Sequence, residues 1–166
     1  MSQPPPEPSP GRPRMPASYG VDPTEDANLI AWSQVRGQLA NARNYWVATT
    51  RVDGRPHVVP VWGLWYAEAF YFSTDPTSQK GRNLTARRGL AVHLESGDDV
   101  VILEGIAEPV TDAAALAGFA DAYDAKYGFR PDPTNPNYAV YRLRPRVAHA
   151  WTEQDFPVTA TRWRFP

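Results

Sequence analysis

The sequence of 166 residues contains no cysteine. This absence excludes disulfide bonds, metal sites built on thiolates and a cysteine nucleophile. Histidine is also scarce: the three residues, His57, His93 and His149, lie far apart in the sequence, so an all-histidine metal site is not expected. No apolar run approaches the roughly 20 residues that cross a bilayer, and the first residues lack the apolar core of a signal peptide. We therefore expect a soluble, cytoplasmic protein.

Charge of either sign is not in excess. Seventeen basic against eighteen acidic residues leave a net charge of −1, which disfavours a nucleic-acid partner. The alternating basic and aromatic residues at 161–165 could stack bases, but a terminal strand with one polar face has the same pattern. Fifteen of the basic residues are arginine, and the only lysines are Lys80 and Lys126.

Proline is concentrated at the N-terminus. Eight of the eighteen prolines lie in the first 23 residues, which hold almost no large aliphatic side chain. Such a segment buries too little apolar surface to offset the entropy of ordering it. We expect residues 1–21 to form an extended or disordered tail, which could also act as a partner-binding arm, and residues 22–166 to form one folded domain.

Three helices are predicted. Asp22, Pro23 and Glu25 form a helix-start signal, and the apolar spacing that follows predicts a helix to about Asn41. The polar segment 75–88 reads as a turn followed by a short helix. Asp112 is the predicted N-cap of a second long helix, which ends at the glycine and proline-rich segment after residue 127.

The rest of the chain has the pattern of short strands at hairpin spacing. Asp53-Gly54 marks a hairpin turn, and Pro60 in the middle of a strand implies a bulge, a sheet edge or a ligand. These features predict a mainly β fold, a small antiparallel barrel with helices. The predicted strands are 45–50, 57–66, 70–74, 90–95, 100–109, 138–144, 147–152 and 159–165.

One segment, Ser78–Leu84, concentrates a hydroxyl, two cations and an amide at the start of a short helix. Backbone N–H groups at a helix N-terminus and a nearby lysine suit a ligand phosphate, although a solvated helix has the same composition. Trp62 is the aromatic residue that we most expect to contact a ligand. His57 could transfer a proton or simply occupy a half-exposed strand position.

No catalytic acid or base can be assigned from the sequence. There is no pair of carboxylates placed for acid–base chemistry, no Ser–His–Asp arrangement and no glycine-rich phosphate loop. We therefore leave the catalytic residues unassigned and expect no metal site.

Several motifs in order resemble one known family. A helix leads to YWVATT, then to DGRPH and a strand with a central Pro-Val-Trp, then to FYFSTD, SQKGRNL and EGIAEP. Over residues 24–166 the chain resembles the flavin- and deazaflavin-binding split β-barrel family, the pyridoxamine 5′-phosphate oxidase-like superfamily. It is most similar to the actinobacterial branch that binds coenzyme F420.

The resemblance implies a split antiparallel β-barrel and a homodimer with two cofactor sites at the subunit interface. By position, five residues would line the ring and its side chain: His57, Val59, Pro60, Val61 and Trp62. Five more would surround the phosphate: Ser73, Thr74, Ser78, Lys80 and Asn83. Trp151 and the closing strand of the partner subunit would complete the pocket.

Two departures from the family pattern restrict the range of expected functions. No lysine follows Arg55 in the second strand, and the Arg-x-His signature of the vitamin B6 oxidases is not evident, so oxidation of vitamin B6 is not expected. The resemblance implies an F420-dependent oxidoreductase that transfers a hydride to an unidentified small, electron-poor substrate. The alternatives are an FMN-binding oxidoreductase and a non-catalytic protein that carries the cofactor.

Overall fold

The computed structural model describes residues 7–132 and 134–166. Within these residues, nine strands and four helices follow one another, together with a 3-10 turn at Ala17–Tyr19. The strands are β1 Ser9–Gly11, β2 Asn44–Thr50, β3 Pro56–Trp62, β4 Leu64–Tyr66, β5 Ala69–Thr74, β6 Gly89–His93, β7 Asp99–Pro109, β8 Ala139–Thr152 and β9 Thr161–Arg164. The helices are α1 Trp32–Asn41, α2 Gln79–Ala86, α3 Ala113–Tyr127 and α4 Phe156–Thr159.

All strand pairs are antiparallel, in the order β1-β9-β8-β7-β6-β2-β3. Strand β5 pairs with the first part of β8 and with β4, which folds the sheet over its own core without closing it. The predicted split antiparallel β-barrel is therefore confirmed. Its interior is filled by large apolar residues, of which Tyr45, Phe70, Phe72 and Trp163 are almost completely buried.

Two predicted closing strands are a single strand. The sequence analysis gave 138–144 and 147–152, on either side of Pro145, as separate strands, but β8 runs through both. A register shift between Glu104 and Gly105 of β7 absorbs the irregularity. A Cβ on Gly105 would lie 2.6 Å from a methyl carbon of Leu143 and 2.7 Å from the Arg144 carbonyl oxygen, so only glycine fits this bulge.

The first long helix starts later than predicted. Asp22 does not cap a helix; it accepts hydrogen bonds from the backbone N–H and hydroxyl of Thr24 in a local turn. Helix α1 begins at Trp32, whose ring packs against Trp65, Trp163 and Phe165. Burial of this aromatic ring, which needs long-range partners, determines where the helix starts.

The predicted N-terminal tail is wrong for the residues that the structure describes. Ser9–Gly11 forms the edge strand β1 on β9. The Arg12 guanidinium donates to the carbonyl oxygens of Glu25, Ala27, Val158 and Ala160 at 2.5–3.1 Å. Charged hydrogen bonds thus replace the missing apolar burial, and prolines are tolerated because β1 is an edge. Residues 1–6 of the predicted tail lie outside the described part.

The other two predicted helices are confirmed. Ser78 is the N-cap of α2 and Asp112 is the N-cap of α3, and each side chain accepts a backbone N–H at the third position beyond it. Gly128, with φ of 67°, ends α3 in the left-handed conformation. Among the described residues, no helix is long and apolar enough to cross a membrane.

Candidate functional site

Strand β3 is the edge of the sheet beside β2, and its side chains alternate between two environments. His57, Val59 and Val61 are half-buried on one face, whereas Pro60 and Trp62 are exposed on the other. Within one chain, β3 is therefore covered on one side only. Proline has no backbone N–H. Pro60 is accommodated because a residue of an edge strand need not donate a backbone hydrogen bond to a strand on its open side. The five predicted ring-lining residues lie on two faces of one edge strand.

The segment predicted to hold a phosphate is built around the start of α2. The Ser78 hydroxyl accepts the Gly81 N–H at 3.1 Å and lies 3.0 Å from the Thr74 hydroxyl. A Cβ on Gly81 would lie 2.5 Å from the Asp75 carbonyl oxygen and 2.6 Å from that of Pro76. The helix therefore begins in close contact with the preceding turn, at the end of β5, where Ser73 is half-buried beside Thr74.

Asn83 has a supporting position. Its amide donates to the Thr49 hydroxyl at 2.9 Å and its amide oxygen accepts from Gln79 at 2.8 Å. The residue is 1% exposed, so it presents almost no surface to a ligand. Asn83 joins α2 to β2, and this contact places the cations of α2 beside the end of β2.

The side chains of Arg51, His57 and Lys80 meet where β2, β3 and α2 come together. Burial lowers the pKa of His57, and the charges of Arg51 and Lys80 lower it further. Burial also lowers the pKa of Lys80, which Asp75 partly offsets. Two buried nitrogens here, Arg51 Nε and His57 Nδ1, have no hydrogen-bond partner in the described part of the chain. A buried polar atom without a partner costs free energy, so this corner is arranged for an acceptor that the chain itself does not supply.

Beside this corner lies a cleft of about 390 Å³, which we call the cationic cleft. Arg55 is paired with Asp53 within the hairpin, and Arg82 donates to Gln79 and to the Thr77 carbonyl. Among the described residues, no ion pair neutralises Arg51 or Lys80. This donor set fits an anionic group such as a phosphate. The cleft is lined by Arg51, Val52, Asp53, Arg55, Gln79, Arg82 and Asn83.

The sequence analysis missed Arg51 and Arg82 as site residues. Arg51 directly precedes the hairpin turn, and Arg82 lies within the SQKGRNL segment that was already of interest. Their proximity depends on the packing of α2 against β2, which no local pattern encodes. The available signal was that each segment carries two cations, Arg51 and Arg55 in one and Lys80 and Arg82 in the other.

The other end of β3 is occupied by aromatic residues of α3. The Trp62 ring stacks on Tyr127 with centroids 4.7 Å apart and an interplanar angle of 3°. The Arg43 guanidinium lies 5.5 Å from the Trp62 centroid. Trp62 is nevertheless 40% exposed, so part of the ring remains open to a ligand.

Trp151 is far from the other predicted residues within one chain. It lies on β8, and β7, β6 and β2 separate that strand from β3. At about 4.8 Å between neighbouring strands, the separation along the sheet is roughly 19 Å. The predicted role of Trp151 in the pocket therefore requires a second copy of the chain. In this structure its ring packs edge-on against Phe156.

The sequence profile of the family described as pyridoxamine 5′-phosphate oxidase matches residues 31–152. This chain belongs to that family. Its members are generally oxidoreductases, and the fold binds flavin-type cofactors. The match covers β2 to β8 and thus includes every residue of the cationic cleft as well as Trp62 and Trp151.

Solved structures of this fold support the assignment. The conserved hypothetical protein Rv2991 from Mycobacterium tuberculosis is 22% identical, with a TM-score of 0.67, over 78% of this chain and 89% of that one. An F420 reductase from Mycobacterium smegmatis is 23% identical, with a TM-score of 0.56, over 68% and 94%. A heme-binding protein from the same species is 23% identical, with a TM-score of 0.59, over 71% and 52%. No match was found among curated proteins.

Proposed function

We propose that this family member is an F420-dependent oxidoreductase acting on a small, electron-poor substrate. The observation that carries the proposal is the corner with Arg51 Nε and His57 Nδ1, two buried nitrogens without a partner beside the cation of Lys80. A ligand phosphate would supply the missing acceptor and the missing negative charge. The F420 reductase among the structural neighbours supports this choice of cofactor.

The residues of the chain would bind and orient the cofactor. Arg51, Lys80 and Arg82 would hold the phosphate, while Thr74, Ser78 and Asn83 would keep α2 in place. Pro60 and Trp62 would offer an apolar surface to the planar ring. When bound, the deazaflavin supplies hydride transfer, and the protein supplies orientation and exclusion of water. FMN has a phosphate and a tricyclic ring as well, so it is the alternative that the same corner would accept.

The cofactor is identified by absorption titration of the purified protein with F420 and, separately, with FMN. Saturable binding of F420 that exceeds binding of FMN is the expected result. Tighter binding of FMN would replace the cofactor in the proposal, and binding of neither would overturn it. Oxidation of bound, reduced F420 by an enone acceptor would then separate an enzyme from a cofactor carrier, because a carrier shows no turnover.

The phosphate contact is tested by Lys80→Ala and Arg51→Ala. Each substitution should weaken binding by about 1.5–3 kcal/mol if it removes a charge-assisted contact. Arg130→Ala is the matched control, since Arg130 pairs with Asp121 on an exposed surface remote in sequence from the cleft. Unchanged affinity in both cleft variants would show that the cations are only solvated.

We further propose that two copies of the chain form the working unit. The outer face of the sheet carries half-exposed apolar side chains on neighbouring strands, among them Trp46, Ala48, Ala91 and Ile102. A shallow groove of about 600 Å³ crosses this face. Trp151 lies on the same face, because it is opposite Val100, in register with this row. A second copy covering the face would bring its Trp151 toward β3.

Light scattering after size-exclusion chromatography tests the dimer. Ala48 and Ala91 are directly opposite each other and line the groove, so Ala91→Arg should give a monomer that also loses cofactor binding. Ala86→Arg, at the exposed end of α2, is the control and should remain dimeric. A wild-type monomer that binds cofactor would contradict a site shared between subunits.

A further inference from the structure

Lys126 occupies an unusual position at the C-terminal end of α3. Its Nζ donates to the Tyr45 hydroxyl at 2.9 Å and to the Gly63 carbonyl oxygen at 3.1 Å. The ammonium also lies 4.9 Å from the Tyr45 ring centroid and 5.3 Å from that of Tyr127. No ion pair joins Lys126 to a carboxylate within the described residues. A half-buried cation is thus held by aromatic rings and one backbone carbonyl.

The neighbouring Tyr127 forms hydrogen bonds with the same residue, Gly63. Its hydroxyl accepts the Gly63 N–H at 3.0 Å, and it lies 2.8 Å from the Gly63 carbonyl oxygen and 2.7 Å from that of Arg43. The hydroxyl has one proton, which serves one of the two carbonyl groups. Lys126 and Tyr127 together therefore fix both polar groups of Gly63, the residue between β3 and β4.

The position of Gly63 determines the position of Trp62. A Cβ on Gly63 would lie 2.5 Å from a ring carbon of Phe70 and 2.9 Å from the Tyr71 carbonyl oxygen, so this backbone is tightly enclosed. Trp62 precedes it, and its ring lies flat on the Tyr127 ring. The same two residues of α3 thus hold both the backbone beside Trp62 and one face of its side chain.

We infer that Lys126 and Tyr127 are positioning residues, which hold Trp62 in the orientation that the candidate ring site uses. The inference rests on the proposed function for the site itself, but the control of Trp62 by α3 is independent of any cofactor. Because Lys126 contributes a charge and hydrogen bonds, loss of its proton should change the environment of Trp62. Among the described residues, the titratable or charged groups that face Lys126 or Trp62 are Tyr45 on β2, Tyr123 and Tyr127 on α3, and Arg43 before β2.

The ammonium should lose its proton at a readily accessible pH. Burial lowers the pKa of Lys126 to about 8, whereas burial raises the pKa of Tyr45 and of Tyr127. Lys126 is therefore the group of this cluster that changes charge between pH 7 and pH 9, while both phenols stay protonated.

The first test uses the cofactor-free protein. The indole N–H signal of Trp62, assigned with Trp62→Phe, should shift with a midpoint near pH 8 in the wild type. In Lys126→Met the shift should disappear, and in Arg130→Met, a matched loss of an exposed cation, it should remain. An unchanged Trp62 signal between pH 7 and pH 9, or a shift that persists in Lys126→Met, would overturn the inference.

The second test measures affinity for F420 or FMN, whichever binds in the absorption titration. Lys126→Met removes both hydrogen bonds of the ammonium and should weaken binding at pH 7 about three- to tenfold, because only part of their free energy reaches the ligand through Trp62. The wild type should lose less affinity than this between pH 7 and pH 9, because the neutral amine loses its charge but keeps N–H donors for the two oxygens. Tyr127→Phe, which keeps the stacked ring and removes only the hydroxyl, should show a smaller loss and keeps the test available if Lys126→Met does not fold.

The outcomes separate the two proposals. If neither cofactor binds the wild type, the proposed function fails and the Trp62 titration alone decides the positioning role. If a cofactor binds and the Trp62 signal titrates but affinity is unchanged in both variants, Lys126 and Tyr127 are structural only and the positioning role is overturned.

Discussion

One of the two lysines of the chain lies beside each end of β3. The two lysines differ in how their polar groups are satisfied. Both lysines are half-buried, and burial lowers the pKa of each. Lys126, at the Trp62 end, donates to two oxygens and is surrounded by aromatic rings. Lys80, at the His57 end, has only the distant charge of Asp75 as compensation among the described residues, and two neighbouring buried nitrogens lack partners.

The difference separates a supporting region from a binding region. A buried cation whose donors are engaged within the chain fixes the fold around it. A cation beside unsatisfied donors keeps its binding capacity for a ligand, at a cost in stability while the ligand is absent. Burial alone does not distinguish the two lysines, whereas their hydrogen-bond partners do.

The largest effect on the free energy of unfolding is expected from substitution of two tightly enclosed glycines, Gly81 near the His57 end of β3 and Gly63 at the Trp62 end. Gly81→Ala would bring a Cβ to within 2.5–2.7 Å of backbone atoms of Asp75 and Pro76, so we expect a destabilisation of about 3 kcal/mol, measured by urea unfolding. Gly63→Ala should cost less, since its closest contact is the Phe70 side chain. Gly37→Ala is the control: nothing lies within 4 Å, and a helical alanine should be neutral or stabilise by about 1 kcal/mol. Equal stability of all three variants would mean that α2 does not pack closely on the turn before it.

The next largest effect on stability is expected from substituting each of the two lysines in turn. Lys126→Met removes two hydrogen bonds at the end of α3 and should lower the free energy of unfolding by about 1–3 kcal/mol. Lys80→Met removes a half-buried cation that no carboxylate pairs with among the described residues, and should leave the stability of the cofactor-free protein unchanged or slightly higher. The same urea unfolding measurement compares both variants. A reversed order would contradict the distinction between a supporting and a binding lysine.

A change of pH should have a smaller effect on the free energy of unfolding. The pKa of Lys126 is about 8 in the folded state and 10.5 in the unfolded chain, so the unfolded state binds more protons and stability should rise from pH 8 toward pH 10. The pKa values of Tyr45, Tyr123 and Tyr127 are raised above 10.0, so the folded state keeps protons that the unfolded chain loses, and stability should fall above pH 10. Urea midpoints from pH 7 to 11 measure this. Lys126→Met should remove more of the rise than Lys80→Met, and the fall should remain in both.

The smallest effect is a shift in the titration of His57. Burial, Arg51 and Lys80 keep its pKa below 6.5, and a phosphate ion in the cationic cleft would offset both charges and raise that pKa. Proton NMR titration with and without inorganic phosphate measures the change. His149, on β8, serves as the internal reference: burial lowers its pKa as well, and phosphate in the cleft should leave its titration unchanged. Equal shifts of both histidines would indicate a general salt effect and no site at His57.

Local patterns were sufficient for much of the fold. The Asp-Gly pair at 53–54 predicted the hairpin, and the caps Ser78 and Asp112 marked the starts of α2 and α3. Turn and capping signals succeed because they act over a few residues. Three predictions were wrong: the early start of α1, a disordered tail where β1 forms, and two separate strands in place of β8. Each of these features depends on contacts with residues that are distant in the sequence.

The candidate site was predictable only in part. The SQKGRNL segment and Trp62 were identified from residue types, and the structure places them at the two ends of β3. The supporting roles of Tyr127 and Asn83 could not be predicted, since their contacts bridge 34 to 84 residues of sequence. The role of Arg51 could not be predicted either, because it depends on the packing of α2 against β2. Whether a second copy brings Trp151 to β3 stays a prediction.

By itself, the sequence determined the class of fold, the family and the chemistry available: no thiol, few histidines and two lysines. Composition and local pattern fix these properties because they need no knowledge of distant contacts. The tertiary structure alone decided that β3 is an edge strand, that Arg51 and Lys80 share a corner with His57, and that Lys126 is held by Tyr45 and Gly63. The physical reason is that the function of a lysine depends on which donors and acceptors packing places around it, and that packing is a property of the whole sheet.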